Sequence, residues 1–291
     1  MTAGDPGSIG AARRAQLAAG LTAVTDRVAA ACRAVDRDPA EVRVLPVTKF
    51  FPASDVEHLV TLGCTDFGES RAQDAERKVA EIAAWLAERA DATVDPDAAR
   101  PAIAWHMIGR LQRNKAAGVG RWASAIHSVD DPRLPAMIAR GARQALDAGE
   151  RTEPVHVLVQ ISLDGDTHRG GVEVDELAHL ADTIVALPEL RLAGVMAVPP
   201  LGSDPDAAFD RLASIHERLL ADHPDAVERS AGMTADLEPA IRHGSTCVRV
   251  GTAILGERPI TSQVNSRNIG NSGSTGEARE SGPRDERKVD R

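Results

Sequence analysis

The chain has 291 residues, and its 43% hydrophobic content is enough for one large globular domain or two smaller ones. Its 34 Lys and Arg against 43 Asp and Glu give a net charge of −9, which repels phosphate polymers and anionic membranes, so we expect neither nucleic acid nor membrane as a partner. Tyrosine is absent, which excludes any mechanism that uses a tyrosine phenol as acid, base or nucleophile.

The three cysteines, Cys32, Cys64 and Cys247, are far apart and have no Cys-x-x-Cys spacing. This pattern predicts neither a disulfide framework nor a zinc site, and it favours a reducing cytoplasm. No run of about 18 apolar residues occurs and the first residues lack a signal-peptide pattern, so we also expect no membrane-spanning helix.

Residues 11–35 have the pattern of a long leading helix, and eight short apolar runs follow it. Stretches with helical periodicity separate the runs, as in residues 172–187. Eight strand and helix repeats in about 250 residues favour an α/β fold that closes into a single (β/α)8 TIM barrel over an open doubly wound sheet. The predicted strands are residues 42–48, 65–68, 102–109, 125–129, 155–161, 190–198, 226–232 and 247–251.

The two ends of the chain differ from this pattern. Residues 1–8 are interpreted as a frayed start, and residues 9–260 as the barrel domain. Residues 261–291 are polar and charge-mixed and cannot bury enough apolar surface to fold, so we predict a disordered tail without a role in the chemistry. The charged run at residues 69–78 is interpreted as the solvated face of a helix.

Function in such a barrel resides at the carboxyl ends of the strands. The first predicted strand ends in VTKFFP, which places Lys49 at the mouth. A partly desolvated lysine there has a lowered pKa and supplies a neutral amine that can attack a carbonyl. A lysine that caps the barrel rim with its ammonium in water is the alternative interpretation of the same position.

The last two predicted strands end in turns suited to phosphate. One contains Ser230 and Gly232, and the other contains Arg249, Gly251 and Thr252. Each offers a glycine that lets the backbone approach a ligand, a hydroxyl, and amides at the start of a helix. Ordinary strand-to-helix turns with a capping hydroxyl would show the same sequence pattern. Together with Lys49, the two turns suggest one of two ligands: pyridoxal 5′-phosphate (PLP), or a sugar phosphate bound as an aldolase-type imine.

Six segments along residues 10–259 carry a resemblance to a known family. In order and sequence they are similar to the motifs of the pyridoxal phosphate homeostasis proteins, which are small PLP-binding proteins without a second domain. The segments are VLPVTKFFPASDVEHLVTLGCTDFGESRAQDAERKV, WHMIGRLQRNK, IHSVD, LRLAGVMAVPP, SAGMTADLEPAI and STCVRVGTAILGER.

The resemblance implies a barrel like the N-terminal domain of alanine racemase, with PLP held on Lys49 as an internal aldimine. It implies that Ser230, Gly251 and Thr252 occupy phosphate-binding positions and that Arg249 faces the pyridine nitrogen. Two positions depart from the family pattern. Ser70 stands where Asn is usual, and Arg169 stands where many members have a lysine.

An arginine cannot accept a hydrogen bond from a protonated ring nitrogen, so it holds the pyridine ring neutral. A neutral ring supports carbanion formation poorly. Alanine racemases also use a tyrosine as second base, and this chain has none. We therefore predict a PLP carrier or buffer in the cytoplasm, not an enzyme, with effects on amino-acid and keto-acid metabolism. Apo PLP-dependent enzymes are the expected protein partners, and the chain is expected to be a monomer or weak dimer.

A PLP-dependent amino-acid racemase and a Schiff-base aldolase are the alternatives. Two histidines, His106 and His127, lie at or near strand ends. Because no metal-binding spacing accompanies them, they are interpreted as structural, and no metal is predicted.

Overall fold

The computed structural model describes residues 6–92 and 101–258 of the chain. Within these ranges, eight parallel strands alternate with helices. The strands are β1 (Arg43–Pro46), β2 (Asp66–Glu69), β3 (Ala104–Met107), β4 (Ala125–Val129), β5 (Val155–Gln160), β6 (Leu190–Met196), β7 (Glu228–Ser230) and β8 (Cys247–Val250). The helices are α1 (Pro6–Arg33), α2 (Ala53–Thr61), α3 (Ala72–Ala92), α4 (Arg113–Trp122), α5 (Leu134–Asp147), α6 (Leu177–Val185), α7 (Pro205–Asp222), α8 (Leu237–Arg242) and α9 (Thr252–Leu255).

The strands form one sheet in the order β1-β8-β7-β6-β5-β4-β3-β2. Its two edge strands meet just beyond β1, where Val47 pairs with Gly68 and the Thr48 amide donates to the Gly68 carbonyl at 2.9 Å. This contact closes the sheet, so the predicted TIM barrel is confirmed. All eight predicted strands are present, most of them shorter than the apolar runs that predicted them.

The leading helix is longer at its start than the sequence pattern predicts. It begins at Pro6, so residues 6–8 are helical and the prediction of a frayed start is wrong for them. The predicted disordered tail at 261–291 lies outside the described residues. In the described ranges, no helix is both long enough and apolar enough to cross a bilayer.

The core lies between the outer faces of the strands and the surrounding helices. One apolar cluster joins α1 to α8, α9 and the strands they cover, and its members in α1 are Leu17, Val24, Val28 and Cys32. Polar contacts attach the same helix, because Arg13 forms an ion pair with Asp55 of α2 at 2.6 Å and donates to the Leu255 carbonyl at 3.0 Å. The leading helix is therefore an integral part of the barrel.

Candidate functional site

Lys49 lies at the carboxyl-terminal mouth of the barrel. It follows Thr48 directly after β1 and is half-buried. On the neighbouring strand, Val250 accepts a hydrogen bond from the Val47 amide at 2.9 Å. This pairing brings the Gly251-Thr252 turn next to the Lys49 segment, as the sequence predicts for two parts of one site.

A buried ion pair holds the peptide before Lys49. Lys78 of α3 donates to Oε1 of Glu69 at 2.5 Å and to the Thr48 carbonyl at 2.8 Å, while the Thr48 hydroxyl donates to the same Glu69 oxygen at 2.7 Å. Glu69 is 1% exposed and Lys78 is 7% exposed. The interpretation of residues 69–78 as a solvated helix face is therefore wrong at both ends, because Glu69 belongs to β2 and Lys78 faces inward from the crossover helix.

Phe50, next to Lys49, has an unusual backbone and an unusual environment. Its φ is +71°, a left-handed conformation that L side chains other than Asn and Asp rarely adopt. Three cations surround its half-exposed ring: Arg258 at 4.0 Å, Arg71 at 5.0 Å and the Lys49 ammonium at 5.9 Å from the centroid. These contacts gather positive charge at the mouth of an acidic protein.

Arg249 and Ser230 meet inside the barrel. Nη1 of Arg249 donates to the Ser230 hydroxyl oxygen at 2.7 Å, and Nη2 donates to the Ala197 carbonyl at 3.0 Å. Ser230 is fully buried and Arg249 is 5% exposed. Burial lowers the pKa of Arg249, but a guanidinium remains protonated at neutral pH, so the site holds a fixed cation.

The two predicted phosphate turns differ in form. Gly232 has a φ of +91°, and a Cβ there would lie 2.6 Å from the Ala240 Cβ, so both backbone and packing require glycine. Gly251 has no such constraint, since a Cβ would make ordinary contact with the Val47 carbonyl at 3.5 Å. Thr252 is exposed and begins the short helix α9. The Arg249 amide donates to the Gly232 carbonyl at 2.9 Å, which joins the two turns.

His106 and His127 extend the buried polar contacts away from Ser230. Nδ1 of His127 lies 2.9 Å from the Ser230 hydroxyl, Nε2 of His127 lies 2.9 Å from Nδ1 of His106, and Nε2 of His106 lies 3.1 Å from Asp66. The sequence indicated structural histidines without revealing these partners, which come from strands far apart in the chain. Among the described residues, no group of three or more His, Cys, Asp or Glu side chains is placed to hold a metal ion.

The two departures from the family pattern occupy different surroundings. Arg169 pairs with Asp164 and Asp166 of its own loop, which engages its charge locally. Ser70 lines a cleft of about 430 Å³ beside the mouth, together with Arg71, Arg110 and Lys115. An open groove of about 1270 Å³ continues from that cleft past Asn114 toward the loops after β4 and β5.

Known proteins share both the sequence and this architecture. The sequence profile described as alanine racemase, N-terminal domain, matches residues 21–259. The pyridoxal phosphate homeostasis protein of Mycobacterium leprae is 45% identical over 253 residues, which cover 86% of this chain and 96% of that protein. The protein of the same name from Escherichia coli is 31% identical over 245 residues, with 83% and 97% covered.

Solved structures agree with this assignment. A protein of unknown function from Bifidobacterium adolescentis superposes with a TM-score of 0.72 at 31% identity, covering 87% of this chain and 98% of that one. PipY of Synechococcus elongatus, solved with PLP bound, superposes with a TM-score of 0.65 at 26% identity, covering 82% and 100%. Alanine racemase from Streptomyces coelicolor, at 16% identity and a TM-score of 0.55, shares the fold over 58% of its length. From its sequence and its fold, the chain belongs to the family of pyridoxal phosphate homeostasis proteins.

Proposed function

We propose that this chain binds PLP at the barrel mouth through Lys49 and serves as a cytoplasmic carrier or buffer of the cofactor. The observation that carries the proposal is the juxtaposition of a half-buried lysine, a buried arginine and two joined turns at the carboxyl ends of β1, β7 and β8. The relatives named for PLP homeostasis and the PLP-bound PipY structure support it. Three thiols without a disulfide support the location.

The residues of the mouth fit the chemistry of this cofactor. The aldehyde carbon of PLP supplies an electrophile, and the Lys49 amine, once its ammonium has lost a proton, would attack that carbon to form an imine with release of one water. The backbone of the Gly251-Thr252 turn is the proposed partner of the phosphate, with Gly232 shaping the adjoining turn. A guanidinium has five N–H donors, so Arg249 retains donors for an unprotonated ring nitrogen after its bonds to Ser230 and Ala197.

The same residues support storage over turnover. Arg249 can only donate a hydrogen bond to the ring nitrogen, so it favours the unprotonated, neutral ring, whose electron-withdrawing power is low. The chain has no tyrosine to act as a second base on the opposite face of the ring. Release of PLP to an acceptor enzyme then requires only that water or another amine replace Lys49 at the imine carbon. Apo PLP-dependent enzymes are the proposed recipients, and a monomer or weak dimer is the proposed state.

A transfer assay tests this function. PLP-loaded wild-type chain is mixed with an apo PLP-dependent enzyme, and recovery of that enzyme's activity is followed. We expect the wild-type chain to restore activity. Lys115→Ala, which changes a half-buried lysine of the neighbouring cleft, should restore it equally well. Lys49→Ala should restore no more activity than free PLP does. Lys49-dependent racemisation of alanine or serine at about 1 per second or faster would instead establish the racemase. A colourless protein with a borohydride-trappable sugar phosphate would establish the aldolase.

A further inference from the structure

A continuous line of hydrogen bonds crosses the inside of the barrel from the mouth to the opposite end. Its five side chains come from five strands: Arg249 on β8, Ser230 on β7, His127 on β4, His106 on β3 and Asp66 on β2. The successive distances are 2.7, 2.9, 2.9 and 3.1 Å. The three middle members are buried, and Asp66 is 25% exposed at its side chain. We call this set the barrel relay.

When both imidazoles are neutral, the chemistry of the two ends determines the direction of every bond between them. A guanidinium only donates, and a carboxylate only accepts. The Ser230 oxygen therefore accepts from Arg249, and its hydrogen points to Nδ1 of His127. His127 then donates from Nε2 to Nδ1 of His106, which donates from Nε2 to Asp66. This arrangement satisfies all four contacts and places the hydrogen of each imidazole on Nε2.

The charge distribution agrees with this arrangement. Burial lowers the pKa of His127 well below its ordinary value, and the cation of Arg249 acts in the same direction. A protonated His127 would add a second buried positive charge beside Arg249 and would direct N–H groups toward both of its neighbours. The Ser230 hydrogen would then lose the Nδ1 acceptor that this arrangement gives it, and the Cys247 thiol is the other hydrogen-bond partner of that hydroxyl.

We propose that His127 is a positioning residue for the ring-nitrogen end of the PLP site, acting through Ser230 on Arg249. By accepting the Ser230 hydrogen, His127 turns the lone pairs of that hydroxyl toward the guanidinium and holds Arg249 in one orientation. The Ser230 hydroxyl then accepts a hydrogen bond from Arg249 and does not bind the phosphate. This revises the phosphate-binding role that the sequence resemblance implies for Ser230. The proposal rests on the proposed function, because it concerns the same site.

The first test needs no cofactor and leaves the chain unchanged. In the apo protein with ¹⁵N-labelled histidine, we expect the nitrogen chemical shifts of His127 at neutral pH to be those of a neutral imidazole with its hydrogen on Nε2. A cationic His127, or hydrogen on its Nδ1, would overturn the relay. This measurement stands whether or not Lys49 binds PLP.

The second test compares two ligands that differ only in phosphate. We expect Ser230→Ala and His127→Leu to accelerate release of both PLP and pyridoxal about tenfold, by the same factor for each ligand, since an ordering bond to a charged group is lost. A loss confined to PLP would assign Ser230 to the phosphate and overturn the proposal. His127→Asn, which keeps an acceptor near the Nδ1 position, should restore most of the wild-type behaviour.

Two controls separate this role from general damage and from failure of the proposed function. His216→Leu removes another buried histidine, one that bonds to the Ala226 carbonyl and is outside the relay, so PLP release should not change. The double variant of Ser230 and His127 should release PLP no faster than either single variant, because both break one pathway. If wild type retains PLP normally while His127→Leu releases it at the wild-type rate, the positioning role fails and the proposed function stands.

Discussion

At the scale of single residues, the backbone of Phe50 is the most unusual feature near Lys49. A positive φ costs an L residue about 1 to 2 kcal/mol because Cβ crowds the backbone. Phe50 is 40% exposed and its ring contacts Arg71 and Arg258, so its partial burial and these cation contacts act against that cost. Such strain is typical of functional sites, and here it adjoins the lysine that we propose binds PLP.

A pair of substitutions at this position isolates the strain. Phe50→Ala and Phe50→Gly both remove the ring, and they differ only in the Cβ that makes a positive φ costly. We expect the glycine variant to have a free energy of unfolding about 1 kcal/mol higher than the alanine variant, measured by urea denaturation.

The matched control lies in a regular helix. At the exposed position Ala84 of α3, replacement by glycine should lower the free energy of unfolding by about 1 kcal/mol, the opposite order. A Phe50→Gly variant less stable than Phe50→Ala by about the same amount as at Ala84 would mean that the positive φ carries no strain.

Among the helices and strands, the polar contact between α3 and β2 also holds the residue before Lys49. The ion pair of Lys78 with Glu69 is buried, and it also fixes the Thr48 carbonyl just before the site. A buried pair contributes little net stability, but removal of one partner leaves an uncompensated charge in the interior. The crossover helix is therefore coupled to the lysine segment through polar contacts.

Breaking the pair from one side should be costly. We expect Lys78→Met to lower the free energy of unfolding by about 3 to 5 kcal/mol, and the double variant Lys78→Met/Glu69→Gln to recover part of that loss. A double-mutant cycle from denaturant unfolding measures both effects. The exposed pair of Arg77 with Glu81 is the control, and Arg77→Met should change stability by less than about 1 kcal/mol. A change of less than about 1 kcal/mol in Lys78→Met as well would show that removal of Lys78 leaves no uncompensated buried charge.

The sequence predicted the elements better than it predicted the contacts between them. All eight strands follow from apolar runs, because burial on both faces of a parallel strand leaves a local pattern. The inward position of Lys78 could not be predicted from the local sequence. Its partner Glu69 is on a different element, and the charged run has the pattern of a solvated helix face. The partners of His127 lie 21 and 103 residues away, a separation that no local spacing encodes.

At the scale of the whole molecule, the barrel interior is polar along the relay and depends on a neutral histidine. In the unfolded chain His127 titrates near pH 6.5, while burial keeps its pKa in the folded chain well below that value. As pH falls below about 6.5, the unfolded state binds a proton that the folded state does not. Folding stability contributed by this residue is therefore present above about pH 6.5 and is lost progressively toward the pKa of the folded state.

Acid should accordingly destabilise the protein before its carboxylates titrate. We expect the free energy of unfolding to fall between about pH 6.5 and pH 5 with a slope of up to about 1.4 kcal/mol per pH unit from His127. Urea unfolding across that range measures the slope. His127→Asn should show a shallower slope, and an unchanged slope in that variant would show that other groups cause the loss.

We propose that Lys49 is the residue that holds PLP. Borohydride reduction of the PLP-loaded full chain, followed by peptide mapping with mass spectrometry, tests it most directly, because reduction fixes the cofactor permanently on the amine that formed the imine. We expect a pyridoxyl group on the peptide containing Lys49 and no specific label in Lys49→Ala. A stoichiometric label on another lysine, such as Lys115 or Lys78, with Lys49 unmodified, would contradict it.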